Sequence, residues 1–239
     1  MSKALQIGKS NFAEFVRGGY LFVDKSGLFI PAVLTDPSAA IVITRPRRWG
    51  KSLNLSMLHH FLAPKVDGLE TKGLFDNLEI SKVSGDYIAK HQGQYPVIFL
   101  NFKDFKVRSY ELALKALEGL ILNAYQDYQE LLYVDTPRWS ALEKTRFQQY
   151  LTEEITEDRL ANALKYLSQL LWKHYQKKVF ILIDEYDTPL NHAFSHHDDG
   201  LFEPLSDLLK NFFSAGMKDN SFVEKGVMTG ILRVSKDSM

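Results

Sequence analysis

Short apolar runs alternate along the chain with longer stretches in which apolar residues recur every third or fourth position. Residues 39–44 (AAIVIT), 97–102 (VIFLNF) and 179–183 (VFILI) are continuous apolar runs, and 226–231 (GVMTGI) is a weaker fourth. Runs that are apolar on both faces suit parallel strands with helices on either side. Between them, Leu55, Leu58 and Phe61 fall at helical spacing after Lys51. Leu117, Leu120, Ile121, Ala124 and Tyr128 form a second stripe, and Leu160, Leu164, Leu167 and Leu171 a third. Leu201, Leu205, Leu208 and Phe212 form a fourth. Strands alternating with helices predict an α/β fold around a mostly parallel central sheet.

Two segments interrupt the pattern. Residues 131–140 contain Pro137 and read as a loop within the domain. Residues 191–200 hold His192, His196, His197, Asp198 and Asp199. Their spacing matches no standard His/Asp ligand motif, so this stretch reads as an exposed polar loop rather than a metal site.

Composition narrows the classes. At 239 residues a single domain is expected, with enough core to fold without staples. The chain has no cysteine, which excludes disulfides, thiolate metal sites and a cysteine nucleophile. Basic and acidic residues balance at 29 each, which argues against a dedicated nucleic-acid-coating surface while leaving a local basic patch open. No apolar run is long enough to span a membrane, and residues 1–12 lack the apolar stretch of a signal peptide. A cytoplasmic location is the plain reading.

The chemistry concentrates in two places. Arg45-Pro46-Arg47-Arg48-Trp49-Gly50-Lys51-Ser52 follows the first predicted strand and opens a helix. A strand-to-helix turn aims backbone N–H groups and the positive end of the helix dipole at one point, which suits phosphate. Gly50 lets the backbone approach closely, Lys51 would reach the β- and γ-phosphates, and Ser52 would offer its hydroxyl to Mg²⁺. The usual pattern begins with glycine, and here that position is Arg45. Arginine does not take φ > 0 cheaply, so the loop is expected to follow a different path or open with a looser turn. The arginine cluster would neutralise phosphate or meet an acidic partner or nucleic acid, with a solvated turn as the plain alternative.

The second place is Asp184-Glu185, which ends the 179–183 run. Asp184 would hold Mg²⁺ opposite Ser52, and Glu185 would orient and activate the attacking water. The plainer alternative is a capping pair at a strand–helix junction. On the last run, Thr229 would sense the γ-phosphate and Arg233 would contact it. A core threonine and a surface arginine are the alternatives there.

With FVDK at 22–25, RPRRWGKSLNLSML at 45–58, ILIDEYDTPL at 181–190 and TGILRVSK at 229–236, the chain resembles the predicted AAA-ATPase-like family of bacterial proteins. The resemblance implies a three-layer P-loop NTPase fold of the ASCE type. It also implies ATP and Mg²⁺ as ligands, with nucleotide contacts from Arg47, Arg48, Trp49, Gly50, Lys51, Ser52 and Leu53. Asp24 lies in a segment expected to help frame the nucleotide. Asp187 recurs in the family without an assigned role. Longer relatives continue into helical and nuclease-like parts, so residues 1–239 are expected to form the ATPase-like domain alone. Mg²⁺-dependent ATP hydrolysis driving a conformational switch is the expected function, with a nucleotide-binding interaction module as the alternative. A small-molecule or protein kinase is disfavoured by the Asp-Glu strand end and the late Thr229. A protein partner is expected but unidentified, and oligomerisation stays open.

Overall fold

The computed structural model describes residues 8–83, 85–134, 138–152, 155–195, 199–218 and 220–231. In chain order the elements are α1 (Phe12–Arg17), α2 (Ser26–Thr35), β1 (Ala40–Thr44) and α3 (Lys51–Leu62). The short strands β2 (Lys65–Val66) and β3 (Leu69–Glu70) follow, then α4 (Tyr87–His91), β4 (Val97–Asn101) and α5 (Tyr110–Gln126). The rest are α6 (Ala141–Thr152), α7 (Glu157–Tyr175), β5 (Val179–Asp184), α8 (Thr188–Ser195), α9 (Asp199–Met217) and β6 (Val223–Gly230).

The main sheet has four parallel strands in the order β1-β6-β5-β4. The last strand in sequence therefore sits between the first and the acidic one. Successive side chains on a strand face opposite sides, and the two cores divide accordingly. Val179, Ile181, Ile183 and Met228 pack with α5, α6, α7 and α9. Phe180, Leu182 and Val227 pack with α1, α2 and α3. β5 is buried along its whole length, as a two-sided apolar run requires.

The helical stripes reach the core as expected. Leu55, Leu58 and Phe61 are fully buried, as are Leu164, Leu167 and Leu171. Burying each such side chain contributes roughly 1.5–3 kcal/mol. The second stripe is corrected at its end, because α5 stops at Gln126. Tyr128 instead turns its hydroxyl to β4, accepting from Val97 N at 2.9 Å and donating to Val97 O at 2.8 Å.

Three features depart from the sequence pattern. α2 is apolar almost all round and carries Pro31, so it shows no helical period. β2 and β3 form a hairpin whose turn residues, Asp67 and Gly68, both have positive φ. That is the turn geometry which Asp-Gly favours. The expected polar loop over 191–200 is also corrected. Asn191 to Ser195 continue α8, while Gly200 belongs to α9. Pro189 at the start of α8 fits a helix opening there, and Ala193 is buried beneath it. His196, His197 and Asp198 lie outside the described residues. Of the 131–140 loop, Trp139 is buried and donates to Leu170 O at 2.9 Å. Pro137 lies outside the described residues. Among the described residues no helix is long and apolar enough to cross a membrane.

Candidate functional site

The β1–α3 connection takes its shape from two residues with positive φ. Gly50 sits immediately before α3 with φ 76° and ψ 20°, and no side chain caps the helix. The first N–H groups of α3 and the positive end of its dipole are thus left to the crevice. The second residue is Arg48, with φ 68°. Arg45, where glycine is usual, is not strained. Its amide donates to Gly230 O at 3.3 Å and extends the pairing of β1 with β6. Pairing with β6 thus runs through Arg45, and the positive-φ positions of the loop fall later, at Arg48 and Gly50. Lys51 Nζ folds back onto the loop, donating to Arg45 O at 2.9 Å and Pro46 O at 3.1 Å. An ammonium has three donors, so one remains.

Strand register brings the second motif alongside. Ile43 pairs with Thr229 in β1–β6, and Asn101 pairs with Asp184 in β4–β5. The β5–β6 register pairs Ile183 with Met228, so Asp184 and Thr229 come next in line. One row thus crosses the carboxyl ends of the sheet as Ile43, Thr229, Asp184 and Asn101. Alternation turns Thr229 and Asp184 to the α3 side, since Val227 and Leu182 face that way. Open α/β sheets bind ligands outside the carboxyl ends of their strands.

Both residues are almost fully buried. The Thr229 hydroxyl donates to Asp184 Oδ1, which also accepts from Glu185 N at 3.1 Å. Glu185 has φ 52°, a left-handed conformation costly for a residue with a Cβ. Among the described residues, two of the five non-glycine residues with positive φ, Arg48 and Glu185, therefore lie in the two motifs. Strain of this kind gathers at functional sites. Glu185 Oε2 accepts from the Thr188 hydroxyl at 3.3 Å. The buried Asp187 accepts from Ile231 N at 2.9 Å and Asn191 Nδ2 at 3.0 Å, tying the exit of β6 to α8.

A cavity of about 220 Å³ opens beside these groups, lined by Lys25, Phe29, Ile43, Arg45, Trp49, Lys51, Asn54 and Thr229. It joins the loop to the sheet, since Lys51 and Thr229 share it and Thr229 is bonded to Asp184. Three of its walls are cationic and none is acidic, which is the electrostatics of an anion site.

Arg47, Arg48 and Trp49 are exposed on the loop, whereas Ser52 and Leu53 lie half-buried in the first turn of α3. Leu53 packs against the core. Asp24 does not line this cavity. Its Oδ1 accepts from Ser26 N at 2.8 Å and its Oδ2 from Glu79 N at 2.7 Å, so its carboxylate joins two backbone segments. Arg233 lies outside the described residues.

Four neighbours of the site escaped the sequence reading. Lys25, Phe29 and Asn54 line the cavity, and Asn101 ends the row beside Asp184. Asn101 carried a signal, as a lone polar residue near the end of an apolar run aligned with the acidic strand. Lys25 and Asn54 lay within the FVDK and RPRRWGKSLNLSML segments without a role of their own, and Phe29 carried no signal.

The parallel sheet, the uncapped helix after a glycine turn and the acidic strand end together define a P-loop NTPase-like α/β fold. The chain belongs to the family described as Predicted AAA-ATPase, whose pattern matches residues 6–239. It is also similar to an uncharacterized protein encoded in the vnfD 5′ region of Azotobacter chroococcum mcd 1, with 26% identity over 239 residues. That match covers 99% of this chain and 39% of the relative, so the chain spans about two fifths of the relative's length. No solved structure matches the chain.

Proposed function

We propose that this chain binds ATP with Mg²⁺ and hydrolyses it to drive a conformational switch. The observation that carries this reading is the pairing of Thr229 with Asp184 at the strand ends, in a crevice whose cavity also holds Lys51. In this reading the α3 N-terminus and Lys51 hold the β- and γ-phosphates. Ser52 and Asp184 hold Mg²⁺, which would neutralise charge developing on the transferred phosphoryl group. The donor set fits a hard cation, being a hydroxyl and a carboxylate with one oxygen already oriented by Thr229 and Glu185 N. Glu185 orients the attacking water and takes its proton. Thr229 fixes the Asp184 carboxylate and lies one strand from the loop, where a γ-phosphate contact is within reach.

One observation favours a second reading. Glu185 Oε2 accepts from the Thr188 hydroxyl at the start of α8, a bond that draws the carboxylate towards the helix and competes with a water for it. In that case the chain is a nucleotide-responsive interaction module with little turnover, and ATP stabilises the conformation that a partner recognises.

Calorimetry and phosphate release on the wild type, Glu185→Gln and Lys51→Ala separate these readings. For an ATPase, Glu185→Gln keeps Mg²⁺–ATP binding but loses turnover by roughly 10²–10⁴-fold, the usual worth of a general base. Lys51→Ala loses binding. Binding without turnover in the wild type selects the interaction module, and absence of binding to the wild type rejects both.

A further inference from the structure

Helix α2 precedes the phosphate loop in sequence and belongs to neither chemical motif, yet it supplies two walls of the cavity. Lys25 immediately precedes its first turn, and Phe29 follows four residues later. Both line the cavity, so the start of α2 presents a cation and an aromatic ring to the same space. Trp49 of the loop, Arg45 and Lys51 line the same cavity. We propose that α2 forms a base-binding and anion-binding wall: Phe29 and Trp49 provide the aromatic platform for a nucleobase, and Lys25 is an additional cation for the phosphates. This inference rests on the nucleotide reading above.

Charge is the first argument. Lys25, Arg45 and Lys51 surround one cavity without a carboxylate in its lining. Asp24, the nearest acid in sequence to Lys25, has both oxygens committed to backbone amides. Lys25 makes no ion pair among the described residues. Three like charges around one concave space repel each other, and a polyanion between them removes that cost.

Surface chemistry is the second argument. Trp49 is 59% exposed, although indole is a large apolar group to leave in water. With the half-buried Phe29 of the same cavity lining it offers aromatic surface that any base can stack on.

Rigidity is the third. α2 is pinned at both ends. At its start, Asp24 holds Ser26 N and Glu79 N, and the Ser26 hydroxyl accepts from Ile80 N at 3.0 Å. At its end, the buried Lys225 of β6 donates to Val33 O at 2.8 Å and also to Asp36 O. A wall fixed this way holds its side chains in place before ligand arrives, which favours binding. The cavity volume of about 220 Å³ falls below the roughly 300–1,000 Å³ of pockets that enclose a whole ligand. Part of the nucleotide therefore stays in solvent, and stacking at the rim gains importance.

The test compares Mg²⁺–ATP with Mg²⁺–tripolyphosphate, which has the phosphates but no base. Calorimetry is run on the full chain as wild type, Phe29→Ala, Phe29→Leu, Lys25→Met and Lys51→Ala. Phe29→Leu keeps apolar packing if the alanine variant fails to fold. Both Phe29 variants should weaken ATP, the alanine by roughly five- to hundred-fold, while tripolyphosphate binds as in the wild type. Lys25→Met should weaken both ligands and flatten the salt dependence of binding. If the Phe29 variants bind ATP like the wild type while Lys51→Ala does not, the α2 wall is wrong and the nucleotide reading stands. Equal loss of both ligands in the Phe29 variants also overturns it, since that pattern reflects packing. A wild type that binds neither ligand removes the nucleotide reading and this inference with it.

Discussion

Replacing Thr229 with valine tests whether the last strand positions the acidic one. The change keeps the shape of a buried side chain and deletes one hydroxyl. Thr229 is 1% exposed and Asp184 3%, so bulk water has little access to replace the lost donor. A hydrogen bond to a charged group is worth about 1.5–3 kcal/mol. Asp184 Oδ1 keeps its bond from Glu185 N at 3.1 Å, which points to the lower half of that range. At ~1.5–2 kcal/mol, and with ~2–4 °C of melting temperature per kcal/mol for a domain of this size, the expected fall is ~3–8 °C. Urea and thermal unfolding at neutral pH, followed by two independent probes, give the number. Thr229→Ser retains the hydroxyl and should recover most of the loss. In an Asp184→Asn background the cost of Thr229→Val should shrink, because the charged acceptor is gone. A Thr229→Val protein within about 0.5 kcal/mol of the wild type, or a serine variant that loses as much as valine, would refute the coupling.

Other perturbations probe neighbouring contacts. A Cβ at Gly230 would lie 2.6 Å from Tyr186 Cε1 and 2.7 Å from Asp187 Oδ1. Both neighbours are buried, so Gly230→Ala should cost about 1–3 kcal/mol by overpacking and loosen the Asp187–Ile231 bond. Chemical denaturation checks this, and unchanged stability would mean that the β6 exit is not tightly clamped. His59 stacks on Phe99 at 5.0 Å between ring centroids, and burial, aided by His60, pushes its pKa down to about 3. The unfolded chain therefore binds the extra proton first, and stability contributed by neutral His59 is lost as the pH falls from about 6.5 towards 3. The loss is at most about 1.4 kcal/mol per pH unit, and less here because the ring keeps some solvent contact. His59→Gln should flatten stability over that window, and parallel curves for the two proteins would assign the acid sensitivity elsewhere.

What the sequence determined by itself was local. The runs at 97–102 and 179–183 were legible as strands because burial on both faces demands unbroken apolar residues. The stripes of α3, α7 and α9 were legible because one buried face repeats with the helical turn. Lys51, Asp184 and Glu185 stood out for the same reason, since a phosphate loop and an acidic strand end are contiguous motifs. Tertiary structure decided everything that joins distant segments. Only strand order places β6 between β1 and β5, and that insertion lets Thr229 bond Asp184. α2 was hidden because GLFIPAVL is apolar nearly all round and contains proline, so its helix is selected by packing rather than by period. The same packing separates the fates of two adjacent residues. Asp24 turns its carboxylate to the amides of Ser26 and Glu79, while Lys25 lines the cavity with Lys51. A sequence shows which groups can do chemistry, but side chains from separate segments share a cavity only after long-range burial has brought their elements together.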